Sequence, residues 1–214
     1  VAVPTNEVID GKEIGRLSSI GVNYVSQILP ERSNIILSEF FRRTELFPKL
    51  RIIATAAMLN LSWMYRWRAN GKGGITSGTY YICATPQENN AIKQLAAKLK
   101  DIDKAYIDSE NCITTQDSSW FDIPSNSFDY LFFDPPFGAN LMYSELSYLW
   151  ESWLKVLTNN IPEAIENPAQ NKDVDTYRKL MNACFREAYR ILKPGRWMTV
   201  EFSNTKSSVW NSIQ

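Results

Sequence analysis

The sequence predicts an α/β chain, with part of a parallel sheet flanked by helices and a helical segment in front of it. Three observations predict this class. The run Phe128–Phe133 is short, rich in β-formers and nearly uncharged, and Pro135 and Pro136 end it. That is the pattern of a strand buried on both faces. Residues 144–157 and 174–192 carry apolar side chains at helical spacing. A second apolar run, 197–202, follows the later helix across a Lys-Pro-Gly turn. Strand and helix periods that alternate in this way describe a sheet with helices packed on it.

Taken in order, residues 1–30 hold Pro4, Gly11, Gly15, Gly21 and Pro30 with weak periodicity, and read as loop with a short helix. Residues 33–46 turn helical on Ile36, Phe40, Arg43 and Leu46 until Pro48 interrupts them. Residues 49–68 form a second helix with Ile52, Ile53, Ala56, Ala57, Leu59, Leu61 and Met64 on its apolar side. Its end alternates aromatic and basic residues from Trp63 to Arg68, which suits either core packing with snorkelling arginines or stacking on bases. The glycine-rich stretch 71–78 lacks phosphate-loop spacing and reads as a connector. Residues 79–83 predict a short strand. Thr85, Pro86 and Glu88 then make a helix start, with Ile92, Leu95, Ala96 and Leu99 on one face. Residues 104–107 and 112–115 predict two more short strands around the Asp108-Ser109-Glu110 turn. Leu146, Leu149, Trp150, Trp153, Leu154 and Leu157 line the next helix, and the polar stretch 158–172 reads as a loop or substrate lid. Tyr177, Leu180, Met181, Cys184 and Ala188 line the last. The division predicted is a helical segment at 1–78 and an α/β part at 79–214.

With 214 residues, 44% of them hydrophobic and 21% charged, the chain can bury one sizeable core. No apolar run approaches the ~20 residues that span a bilayer. Cys83, Cys112 and Cys184 lie far apart and there is no histidine, which argues against a metal site and against Ser/Cys–His catalysis. Separate thiols without a pairing pattern predict a reducing, cytoplasmic setting. Net charge is zero, but seven Lys/Arg fall between Ile35 and Lys72 against Glu39 and Glu45. That stretch is either the solvated side of amphipathic helices or a phosphate-facing patch. The start at Val1 and the end at Gln214, in a helix-like pattern, predict a piece of a longer protein.

Asp134 stands at the carboxyl end of the central strand, where open α/β sheets place their ligands. A plain strand cap with a proline turn would look the same over these few residues. The tetrapeptide Asp134-Pro135-Pro136-Phe137, however, resembles motif IV of the amino-methyltransferases, (D/N/S)-P-P-(Y/F/W). Its flanks, Tyr143-Ser144-Glu145-Leu146-Ser147 and Leu192-Lys193-Pro194-Gly195-Arg196-Trp197, are similar to those of site-specific DNA methylases, some of which carry a zinc ribbon. The resemblance spans residues 14–214 and is strongest over 128–204.

It implies a Rossmann-like methyltransferase sheet, here partial, and methyl transfer from S-adenosylmethionine to the N6 of adenine or the N4 of cytosine. The implied partner is DNA with the target base flipped out of the stack. Asp134 and the Pro135 carbonyl would accept the two N–H groups of the target amine. Pro136 would stiffen the turn, and Phe137 would stack on the base. Tyr143, Ser144 and Glu145 would address the substrate. Asp117, seventeen residues before Asp134, and Ser118 would hold the cofactor's adenine, unless Asp117 is an ordinary turn residue. One departure stands out. None of the nine glycines follows a suitable strand at the family's F-x-G-x-G cofactor spacing. The chain alone is therefore expected to be weakly active or inactive. An RNA guanine-N2 methyltransferase and a non-catalytic module with a decayed methyltransferase fold are the alternatives.

Overall fold

A computed structural model of the chain describes residues 2–71, 73–104 and 111–213. The chain is mixed α/β and divides into two compact units, Val1–Ser109 with Glu145–Thr158, and Glu110–Ser144 with Asn159–Gln214.

The first unit is helical: α1 (Glu31–Arg43), α2 (Arg51–Leu61), α3 (Ala91–Asp103) and most of α4 (Tyr143–Leu154). Leu37 and Phe41 of α1, Ala54, Ala57 and Met58 of α2, and Leu149 and Trp153 of α4 are buried in one core. The rings of Phe41 and Trp153 stack at 5.6 Å. Tyr80 enters this core and satisfies its phenol on α4, donating to the Leu146 carbonyl at 3.1 Å and accepting from the Leu149 amide at 3.1 Å. The unit thus extends well past the expected boundary at 78, because α3 and α4 supply core side chains to α2.

Two expected helix ends move. Helix α2 stops at Leu61, since the Tyr65 carbonyl and the Arg66 and Trp67 amides bond to Gln87, Gly74 and Thr85 instead of continuing a helical ladder. For the same reason Thr85-Pro86 is not a helix start. The helix begins after Asn90, whose side chain accepts from the Lys93 amide at 3.0 Å. Residues 79–83 form no strand.

The second unit holds β1 (Phe128–Phe133), α5 (Val174–Ile191), β2 (Leu192–Val200) and a four-residue helix α6 (Ser207–Trp210). The strands are parallel and pair Tyr130 with Trp197 through Phe133 with Val200. The Lys-Pro-Gly turn is a register irregularity inside β2, where Gly195 takes φ +74°. Asp173 caps α5 on the Thr176 amide, and Tyr177, Met181, Cys184, Ala188 and Ile191 face inward from it. Of these, Tyr177 and Met181 share an apolar cluster with Phe133, Phe185, Phe202 and Val209.

The sheet has two strands among the described residues, and a wider Rossmann-like sheet is not seen. Residues 112–115 form no strand and are exposed, with Ile113 93% exposed. The expected strand at 104–107 falls almost wholly outside the described residues. Burial of β1 on both faces is likewise corrected. Phe128, Tyr130 and Phe132 are 39%, 54% and 60% exposed. Only the alternate face, Leu131 and Phe133, is half-buried. Parallel strands bury two faces only when helices cover both. No helix among the described residues is long and apolar enough to cross a membrane.

Candidate functional site

The Asp-Pro-Pro-Phe-Gly turn leaves β1 as a rigid corner. Each proline fixes its own φ and lacks an N–H. The carbonyls that follow are tied down one by one. Pro136 accepts from the Tyr177 hydroxyl at 2.8 Å, Phe137 from the Asn204 amide nitrogen at 2.9 Å, and Gly138 from the Glu166 backbone amide at 3.2 Å. Phe137 is half-buried and meets Phe202 edge-on at 5.2 Å, and Phe202 meets Trp210 in the same way at 5.0 Å.

Two acceptors remain on this corner. The Asp134 side chain is exposed, and among the described residues it takes no hydrogen bond and no ion pair. The Pro135 carbonyl, among the described residues, accepts no hydrogen bond either. The phenols nearby are held neutral. Burial, then the Asp134 and Glu163 carboxylates, push the Tyr143 phenol up. Burial first, with Glu166 and Tyr143 adding to it, pushes Tyr177 up to about 12.

Gly138 makes this geometry possible. It adopts φ +63°, and a Cβ there would lie 2.8 Å from Glu166 Oε1 and 3.1 Å from a Val209 methyl group. Gly138→Ala combines a left-handed backbone with a steric clash, and is expected to destabilise the second unit by ~2–4 kcal/mol. Urea denaturation followed by tryptophan fluorescence checks this, and a change under ~0.5 kcal/mol would show that the turn adapts freely.

The other sequence-predicted residues divide. Tyr143 is 44% exposed and is placed beside Asp134 by charge interaction. Ser144 is occupied by Glu163, which accepts from its amide at 2.9 Å and from its hydroxyl at 2.6 Å. Gln170 Nε2 reaches the same two groups, at 3.2 and 3.1 Å. The stretch expected to be a lid is therefore fastened to the start of α4, and Lys172 tightens it by donating to the Asn160 and Glu163 carbonyls. Glu145 leaves the corner altogether. It is 1% exposed and accepts from the amides of Lys12, Glu13 and Ile14 at 3.2, 2.7 and 3.3 Å, capping the 3₁₀ helix Ile14–Ile20. Its task is structural.

Asp117, exposed, and Ser118, half-buried, sit in an Asx turn, where the Asp117 carboxylate accepts from the Ser119 amide at 2.8 Å. No strand precedes this turn among the described residues. Neither β1 nor β2 runs into a glycine-rich turn, since Asp-Pro-Pro-Phe-Gly follows one and Glu-Phe-Ser-Asn the other.

Tyr177 and Asn204 are the positioning residues that the sequence reading missed. Tyr177 carried a signal, since a phenol on the buried face of a helix must find a polar partner. Asn204 carried none. Comparison with family models, with curated proteins and with solved structures finds no match.

Proposed function

We propose that this chain carries the amine-recognition corner of a DNA amino-methyltransferase, acting on the N6 of adenine or the N4 of cytosine with S-adenosylmethionine as methyl donor. One observation supports it above the rest: a carboxylate that takes no hydrogen bond or ion pair among the described residues, at the carboxyl end of a parallel strand, before three carbonyls that are already engaged.

The lone pair of an exocyclic amine is delocalised into its ring, so the amine is a poor nucleophile. Two acceptors, Asp134 and the Pro135 carbonyl, would take its two hydrogens and favour a pyramidal nitrogen with a usable lone pair. The turn does not have to reorganise to do so, because Tyr177, Asn204 and Glu166 already hold it. Phe137 offers an aromatic edge to a base turned out of the duplex. The three cysteines are free thiols, which agrees with a cytoplasmic setting.

The test is transfer of a labelled methyl group to unmethylated DNA, by a form of the protein that binds the cofactor, followed by digestion to nucleosides. Label on adenine N6 or cytosine N4 is expected. Label confined to guanine N2 of RNA would move the reading to the RNA class, and no label on either would leave a binding module. The 214-residue chain by itself is expected to bind S-adenosylmethionine weakly or not at all, because none of its nine glycines follows a strand at the F-x-G-x-G cofactor spacing. Titration calorimetry measures this, and micromolar affinity would overturn that expectation.

A further inference from the structure

Helix α5 borders an open cleft of about 540 Å³, lined by Ser119, Lys179, Asn182, Arg186, Glu187 and Arg190 among others. Its one carboxylate is already neutralised. Arg190 donates to both Glu187 oxygens, at 2.8 and 2.6 Å, and the Phe121 amide adds a third bond at 2.7 Å. The Arg190 hydrogen bonds hold the Glu187 carboxyl down to about 2. Arg190 is itself closed off, donating to the Phe121 carbonyl at 3.0 Å and the Ser125 hydroxyl at 3.2 Å.

Two cations on this face have no such partner. Lys179 and Arg186 form no ion pair among the described residues. Asp175 is bound to Arg178 at 2.7 Å, Asp117 accepts from the Ser119 amide, and Asp173 is spent on the helix cap, where Lys179 feels it only at longer range. Asn182 and Ser119 add neutral donors between and beside the two cations. The cleft is therefore rich in donors, and its net charge is positive.

Spacing selects the ligand. Lys179 and Arg186 are seven positions apart on the helix, which puts them about 10.5 Å apart along the axis and within about 20° of one face. Successive phosphates of a nucleic-acid strand advance about 3.4 Å each along the duplex axis, so the two cations match phosphates about three steps apart. The helix also connects this face to the corner, because Tyr177 turns inward onto the Pro136 carbonyl two residues before Lys179 turns outward.

We propose that this cleft binds the phosphodiester backbone of DNA, with Lys179 and Arg186 as the phosphate contacts and Asn182 and Ser119 as supporting donors. The choice of DNA rests on the function proposed above.

The experiment is fluorescence anisotropy of a labelled, unmethylated duplex of about 20 base pairs, titrated with the 214-residue chain over a series of salt concentrations. Each phosphate neutralised contributes about 0.9 to the slope of log affinity against log salt. The Lys179→Ala/Arg186→Ala double variant should therefore lower that slope by about 1.8 and weaken binding at least ~10-fold at low salt. Arg178→Ala removes a positive charge that Asp175 already compensates, and should leave the slope almost unchanged. Inorganic phosphate at about 10 mM and constant ionic strength should not displace the duplex.

The proposal is overturned if the double variant keeps the wild-type slope, if Arg178→Ala shifts it as much per charge, if phosphate competes, or if the wild-type chain binds only RNA or nothing. The salt slope reads phosphate contacts, whereas methyl transfer reads the acceptors on the target amine. A lost slope and a lost methyl transfer therefore report on the cleft and the corner separately.

Discussion

Asp134→Ala is expected to lower methyl transfer to DNA at least ~100-fold in a form of the protein that binds the cofactor, with little change in cofactor affinity. Removing one preorganised charge-assisted hydrogen-bond partner from a reacting centre costs on the order of 10²–10³ in rate. The neighbouring backbone carbonyls cannot take its place. The Pro136, Phe137 and Gly138 carbonyls are already occupied by Tyr177, Asn204 and Glu166. Asp134→Asn separates charge from acceptor geometry. Its carbonyl oxygen can still accept the amine's N–H, so it should retain more activity than the alanine variant. Single-turnover transfer from labelled cofactor, run beside binding titrations, measures both. Near-normal transfer by a folded Asp134→Ala protein would reduce the corner to a strand cap followed by a proline turn. Since Asp134 is exposed, the substitution should leave stability almost unchanged, so that a lost activity could not be blamed on misfolding.

Glu145→Ala is expected to destabilise the helical unit by ~3–5 kcal/mol. Hydrogen bonds to a charged partner contribute about 1.5–3 kcal/mol each, though not additively, and each buried donor left without an acceptor costs a further ~1–3 kcal/mol. Here three amides, of Lys12, Glu13 and Ile14, converge on a carboxylate that is 1% exposed. The fit is tight as well. A Cβ at Gly11 would lie 2.4 Å from the Glu145 carboxyl carbon, so the chain passes the carboxylate where only glycine fits. Some recovery is expected from water entering the vacated space, which keeps the loss below the sum of its parts. Urea denaturation read by circular dichroism checks the value. Glu145→Gln, which keeps one acceptor but brings an N–H₂ group against three donors, should fall between the two. A loss under ~0.5 kcal/mol for the alanine variant would show that the cap contributes nothing to folding.

This pair of carboxylates shows how far the residues could be read without coordinates. Asp134 and Glu145 both belong to motifs that resemble one methylase family, and the sequence treats them alike. The structure separates them, because α4 turns Glu145 into the first unit while Asp134 stays at the tip of β1. Asp117 met a similar fate. The resemblance implied a cofactor contact for it at the end of an expected strand, and the chain there adopts the local Asx turn that any aspartate can make.

Local and periodic features were legible in the sequence. Apolar spacing marked α1, α4 and α5 to within a few residues, and two prolines marked the end of β1, because such signals depend on neighbours along the chain. What needed the tertiary structure was everything that depends on partners distant in sequence. The Thr85-Pro86 helix start gave way to backbone bonds with residues 65–67, since the two segments offer each other better-satisfied amides than one more helical turn would. Burial of β1 was decided by how many strands and helices surround it, which no run of six residues encodes. The carbonyls of the corner were claimed by Tyr177 and Asn204, 41 and 67 residues further on. A sequence specifies which groups must be satisfied, and only the folded chain decides which partner satisfies them.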